Sequence, residues 1–324
     1  MTANTSTEIR VRAPGRDDMQ GIVDLVVACD VADLGEPDFS LDILEEDWAR
    51  SNFDLERDAW LVEAAGGALL AYGSVETRHN STQLNSVGWV HPDHRGRGIG
   101  SRLLALQEER ARQRSEDAQD GVRVVFQAWK QGRAPAEGLF TRHGLEHVRS
   151  NWRMLIEMTE APPKPQWPEG ITVRSWTEDM DVATHAANEE AFADHWGHTP
   201  DDPYEEWRQG RENMSQFDAD LWLLAMAGDE IAGVCLCTYF LDQGYVQDLS
   251  VRRPWRRHGL GLALLHEAFG RFWQRGTKAV SLGVDSQNLT GATRLYERAG
   301  MHVQFQFDRY EKELRPGREI RNLG

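Results

Sequence analysis

The stretch Arg256-Arg257-His258-Gly259-Leu260-Gly261 joins basic side chains to glycines directly before an apolar run of helical period. Between a strand and a helix, such a turn aims several backbone N–H groups and the positive end of the helix dipole at one point, which suits an anion. Glycines let a phosphate come close, and arginines add charge and forked donors. The arrangement occurs earlier as Arg95-Gly96-Arg97-Gly98-Ile99-Gly100. A pyrophosphate is the natural guest. The phosphate loop of nucleotide hydrolases would end in Gly-Lys-Ser/Thr, which neither copy has. A dinucleotide fingerprint would need Gly or Ala where Ser101 and Leu264 stand, and a parallel unit where the preceding strands read as antiparallel. One such loop could be a plain exposed turn; two, each between a strand and an amphipathic helix, argue for a ligand.

The elements that must position these loops come in duplicate. IRVRAPGRDDM near the start is answered by ITVRSWTEDM, with Val11 and Val173 offset by 162 (173 minus 11). Arg95 and Arg256 are offset by 161 (256 minus 95), and Gly144 and Gly300 by 156 (300 minus 144). Landmarks in constant order indicate a duplicated domain, with a period too long for a solenoid. Between the copies, residues 161–170 hold four prolines, which interrupt helix and central strand alike. The division is therefore residues 1–160, a linker at 161–170, and residues 171–324. In the second copy, periodicity predicts strands at 171–174, 221–227, 231–240 and 245–251, with a helix over 179–192. A helix from Leu260, a strand through Val280, Leu282 and Val284, a helix ending at Gly300 and a strand through Val303, Phe305 and Phe307 follow. The expected fold is α/β, an α+β mixed sheet in each of two tandem domains.

Composition narrows the function. Of 324 residues, 40% are hydrophobic and 27% charged, the balance of a globular protein. No basic-then-apolar leader or long apolar span is evident, so the expected location is cytoplasmic, with no membrane partner. A net charge of -16 speaks against a nucleic-acid partner, which requires a concentrated basic surface. Cys29, Cys235 and Cys237 cannot build a disulfide framework and read as buried reduced thiols. His195 and His198, like His91 and His94, sit three apart, yet no further ligands follow at convincing spacing, so no metal is expected.

The pattern Arg-x-x-Gly-x-Gly after a strand ending in valine, with a downstream Asn288 and the segment Leu295-Tyr296-Glu297-x-x-Gly300, resembles the GNAT superfamily of N-acetyltransferases. The tandem arrangement is similar to the mycothiol synthase-like proteins of actinobacteria, over nearly the whole chain. The resemblance implies a strand that splays from its neighbour, here carrying Leu249 and Val251, so that its backbone can pair with the pantetheine arm of acetyl-CoA. It further implies that Arg256, Arg257, His258, Gly259, Leu260, Gly261, Leu262 and Ala263 hold the pyrophosphate, that Asn288 contacts the pantetheine region, and that Tyr296 protonates the departing thiolate. In the first copy Val90, Arg95, Gly96, Arg97, Gly98, Gly100 and Ser101 form the matching set. That copy has Phe140 in place of the tyrosine (296 minus 156) and Lys130 to Arg133 where the asparagine would stand. It reads as able to bind CoA but degenerate.

Amide formation needs a base, because an alkyl amine with a pKa near 10 is almost wholly protonated at neutral pH. Related mycothiol synthases place a glutamate where this chain has Tyr245. The departure leaves Asp248, on the face opposite Leu249, His195 and His198 as candidates, beside a relay through water. The expected activity is acetyl transfer from acetyl-CoA to a primary amine of a small molecule, by direct attack, in a monomer or homodimer. Rival readings are a CoA-binding sensor without turnover and an acetyltransferase acting on protein N-termini or lysines.

Overall fold

The protein is described from a computed structural model covering residues 9–78, 81–199, 204–212, 214, 216–288 and 291–323. The first half runs β1 (Ile9–Arg12), α1 (Met19–Asp33), α2 (Leu41–Trp48), α3 (Leu55–Asp58), β2 (Ala59–Ala64), β3 (Leu69–Arg78), β4 (Gln83–Val90), α4 (Ile99–Arg114), β5 (Val124–Gln131), α5 (Glu137–Arg142) and β6 (Glu146–Glu157). The second half repeats the theme with β7 (Ile171–Ser175), α6 (Asp181–Phe192), α7 (Tyr204–Glu212), β8 (Trp222–Ala227), β9 (Glu230–Phe240), β10 (Gln243–Val251), α8 (Leu260–Gln274), β11 (Ala279–Asp285), α9 (Ala292–Arg298) and β12 (His302–Arg315). The expected mixed sheet is present in both halves. In the second it follows the element order that periodicity predicts, with α7 added.

Two compact units emerge, and they do not coincide with the two repeats. One comprises Met1–Arg149 with Phe307–Glu319, the other Ser150–Gln306 with Ile320–Gly324. The first unit's sheet runs β1-β2-β3-β4-β5-β12, and the second's runs β6-β11-β10-β9-β8-β7. Residues 307–315 of β12 pair antiparallel with β5, while residues 151–157 of β6 pair antiparallel with β11. Each repeat thus gives its last strand to the other's sheet. Alternating apolar residues signal a strand but do not name its partner edge, so a division at 161–170 marks the repeats without marking the compact units. Residues 161–168 carry no helix or strand, as four prolines require.

Within each unit all pairings are antiparallel except β4 with β5 and β10 with β11, which are parallel and are bridged by α4 and α8. Helices cover both faces. In the second unit α8 lays Leu264, Leu265, Phe269 and Phe272 on a core with Leu282, Cys235 and Cys237, while α6 covers Trp222, Leu224, Val234 and Leu236 on the other face. The two cysteines are buried and free, with sulfurs 3.6 Å apart, on one face as their spacing predicts. Among the described residues no helix is long and apolar enough to cross a membrane.

Tyr310 of β12 is buried in the first unit's core with its ring 5.1 Å from that of Phe140. Tyr310→Ala is expected to cost about 3–5 kcal/mol, as deletion of a buried aromatic does. Amide exchange should show the loss in β5 and not in β10, although Tyr310 belongs to the second repeat.

Candidate functional site

The site in the second unit begins where β10 leaves β11. Parallel pairing holds only for Gly244, Tyr245 and Val246, opposite Val280, Ser281 and Leu282. Beyond Val246 the strands part, and among the described residues the β11-facing edge of β10 through Val251 has no strand partner. Buried peptide groups seldom go unpaired, so such an edge invites a ligand with amides of its own. The first unit repeats the parting: β4 pairs with β5 from Gln83 to Ser86 and then diverges up to Val90.

Each parted strand ends in the glycine loop. Gly259, at φ +83°, is the residue before α8, and Gly98, at φ +81°, the one before α4. Both left-handed positions favour glycine. A Cβ at Gly259, Gly98 or Gly96 would meet no atom within 4 Å, so the loop's outer side is open to a guest. Arg257 takes the left-handed conformation at φ +67° where the first copy has Gly96 at φ +75°. The amide of Ala263 already bonds the Gly259 carbonyl at 3.1 Å, whereas the first-turn amides of Leu260, Gly261 and Leu262 have no helical acceptor and are the donors for an anion.

The loop arginines behave differently from the expectation of forked donors to phosphate. Arg256 donates Nε to the Val251 carbonyl at 2.9 Å and Nη2 to the Ala191 carbonyl at 2.9 Å, and pairs Nη1 with Asp194 at 3.0 Å. Arg95 does the same in the first unit, to the Val90 carbonyl at 3.0 Å and to both oxygens of Asp33 at 2.7 and 2.8 Å. Both guanidiniums tie the end of the parted strand to the covering helix. Arg253 and Arg256 together draw the exposed Asp194 carboxyl down to about 2. Arg97 folds back onto the Asp93 carbonyl at 2.9 Å, and Ser101 Oγ lies 2.7 Å from His143 Nε2.

At the reacting end, a β-bulge intervenes. The register of β10 on β9 shifts between Val246 and Asp248, so Gln247 is an extra residue and Asp248 stands opposite Leu236. Without the bulge Asp248 would share a face with Val246; with it, Asp248 joins Tyr245 on the α6 face, while Leu249 and Val251 pack on the α8 side. Burial pushes the Asp248 carboxyl up to about 6, against a hydrogen bond from Asn188 that lowers it. Tyr296, 7% exposed on α9, is raised above the usual phenol range by burial first, then by Cys235, Asp248 and Tyr245. Its hydroxyl has no hydrogen-bond partner among the described residues. Tyr296 is thus a core residue whose phenol feels the charge of Asp248.

His195 does not join them. Its ring packs on Phe192 with centroids 4.4 Å apart, and burial, then the charges of Arg256 and His198, depress its basicity. Its charged neighbours belong to the arginine clamp, and His198 lies 3.7 Å from Glu189. Tyr245 places its hydroxyl 3.5 Å from where a Cβ on Gly283 would stand, and its ring lies 5.6 Å from the Arg153 guanidinium. Asn288 opens the loop after β11, its amide bonded to the Asp285 carbonyl at 3.1 Å. Among the described residues no group of three or more His, Cys, Asp or Glu side chains is disposed to hold a metal.

In the first unit the parted strands and the glycine loop enclose a cavity of about 810 Å³, running from Gly96, Gly98 and Gly100 to Glu76 and Asn85 and lined by Phe140. That volume suits a small-molecule ligand. The sequence did not single out Asn188, Ser250, Asp194 or the bulge; of these, Asp194 follows Asp33 by 161 residues (194 minus 33), the same offset as the arginines they bind, a signal that was present.

Two family profiles match the chain: "Acetyltransferase (GNAT) family" over residues 182–301 and "Acetyltransferase (GNAT) domain" over residues 56–146. Mycothiol acetyltransferase of Geodermatophilus obscurus is 31% identical over 256 residues, covering 74% of this chain and 77% of that protein. The chain belongs to the GNAT acetyltransferase family. Mycothiol acetyltransferase of Saccharopolyspora erythraea is 29% identical over 266 residues, 80% of this chain and 85% of the relative. Among solved structures, a GCN5-related N-acetyltransferase from Sphaerobacter thermophilus is 38% identical with a TM-score of 0.84, covering 96% of this chain and 98% of the other. A tandem GNAT protein from the clavulanic acid biosynthesis pathway, 15% identical, shares the fold at a TM-score of 0.72 over 96% of this chain and all of its own. This GNAT protein is an acyltransferase with two GNAT domains in tandem.

Gly259→Ala is expected to destabilise the second unit by ~1–2 kcal/mol, the cost of a Cβ in the left-handed region. Arg257→Gly, which copies the first loop, should change stability by no more than about 0.5 kcal/mol. Equilibrium unfolding in urea would measure both.

Proposed function

We propose that the second half transfers an acetyl group from acetyl-CoA to a primary amine of a small molecule, and that the first half binds CoA without reacting. The observation that carries this reading is an asymmetry. The second unit sets Asp248 and Tyr296 across the parted strands, whereas the first has Val87 and Phe140 at the corresponding places. The donor's pyrophosphate would sit on the amides from Arg257 to Leu262, and its pantetheine along the free edge of β10 toward Asn288.

Asp248, ionised above pH about 6, accepts the proton of the attacking amine directly or through water. Nitrogen bonds to the thioester carbon, and backbone N–H groups around the Gln247 bulge stabilise the oxyanion. As the C–S bond breaks, the thiolate, whose conjugate acid has a pKa near 8.5, takes its proton from Tyr296, which burial keeps protonated. The curated relatives named mycothiol acetyltransferase support a small-molecule acceptor. Tyr245, where the resemblance to mycothiol synthases implies a glutamate, supports a different acceptor or a relocated base, three residues along the strand.

A second reading, CoA sensing without turnover, draws on the cavity in the first unit. Thiol release from acetyl-CoA with a panel of amines separates the two. Turnover that falls about a hundredfold or more in Tyr296→Phe supports transfer by the second half; CoA binding with no active amine would replace it with the sensor. In the parent, kcat/KM should fall as pH drops through about 6, because protonated Asp248 cannot accept a proton, and Asp248→Asn should remove that limb.

A further inference from the structure

We infer that Asn188, oriented by Ser250, is a positioning residue that presents the Asp248 carboxylate to the acceptor amine. The inference rests on the reading of Asp248 as the base. Asn188 lies on α6 and Ser250 on β10, each 6% exposed, and Ser250 Oγ donates to Asn188 Oδ1 at 2.8 Å. A serine hydroxyl that donates to the amide oxygen fixes which way the amide faces, leaving the amide nitrogen to donate elsewhere. Asp248 stands two residues before Ser250 on the same face of β10, where the Asn188 amide favours its charged form.

The duplicated fold separates this arrangement from ordinary helix-to-sheet packing. The arginine clamp occurs in both units, as Arg95 with Asp33 and Arg256 with Asp194, so it serves the shared architecture. The polar trio does not recur. Subtracting the 161-residue offset turns Asn188 into Val27 and Ser250 into Trp89, and strand register sets Val87 in the place of Asp248. A helix can therefore cover this strand with apolar contacts alone. Burying an asparagine and a serine costs free energy unless they are bonded, and the pair persists in the half that also carries Tyr296.

The groups that act electrostatically on Asp248 are Asn188 and Glu189 from α6, Cys237 from β9 and Tyr296 from α9. Of these, Asn188 is the one that favours its charged form, so removing that amide should make Asp248 harder to ionise.

Asn188→Leu, and the milder Ser250→Ala, test this in the full chain by two measurements. One is the pH titration of the Asp248 carboxyl carbon by NMR, which needs no acceptor; the other is the acid limb of kcat/KM with the amine found active. Asn188→Leu is expected to move both midpoints upward by roughly one pH unit and Ser250→Ala by less, with KM for acetyl-CoA unchanged. Unmoved midpoints in both variants overturn the inference, even if activity falls, because that is a purely structural role. If Asp248→Asn leaves kcat/KM and its acid limb as in the parent, the catalytic reading of Asp248 fails first. If Asp248→Asn abolishes the limb while Asn188→Leu leaves it in place, only the role of Asn188 fails.

Discussion

Two parallel strands that pair for a few residues and then diverge set the terms for everything else in each unit. The edge of β10 beyond Val246 has no strand partner toward β11 among the described residues, so its peptide groups are open to a ligand. Parallel strands also require a crossover, and the crossover helix must start where the parted strand ends. The glycine loop therefore sits at the mouth of the gap by topology, with its unsatisfied amides pointed at whatever fills it. Binding surface and reacting groups follow from one departure from regular pairing.

Duplication within the chain acts as an internal comparison. What both units keep, the left-handed glycine before the crossover helix and the arginine tying strand end to covering helix, belongs to the architecture. What only the second has, a bulge, a carboxylate, a neighbouring amide and a phenol, is what the proposed chemistry draws on. The first unit meets the same packing demands with valines, a tryptophan and a phenylalanine.

Much of this was legible in the sequence. Alternation and helical period gave the order of elements in the second half, because Val280, Leu282 and Val284 or Leu264 and Phe272 report their faces directly. The glycine loop was legible because its residue types serve a backbone conformation. Less visible was anything decided at long range. Arg256 looks like a phosphate ligand by composition, yet its guanidinium is satisfied by Asp194 and Ala191, some sixty residues earlier. The bulge is one residue in length and leaves no compositional mark, so nothing in the sequence shows that Asp248 shares a face with Tyr245. The polar helix α7, with few apolar residues to set a period, gave no clear helical signal.

The exchange of final strands between the halves bears on how the chain is made. β5 leaves the ribosome well before residues 307–315 that flank it, with 175 residues intervening (306 minus 131). Until then the first unit carries an open, apolar sheet edge, a surface on which nascent chains can associate. A gene fusion that merely joined two independent enzymes could be cut apart again at its linker. Here the cut would leave each fragment with the other's strand, so the duplication has become irreversible.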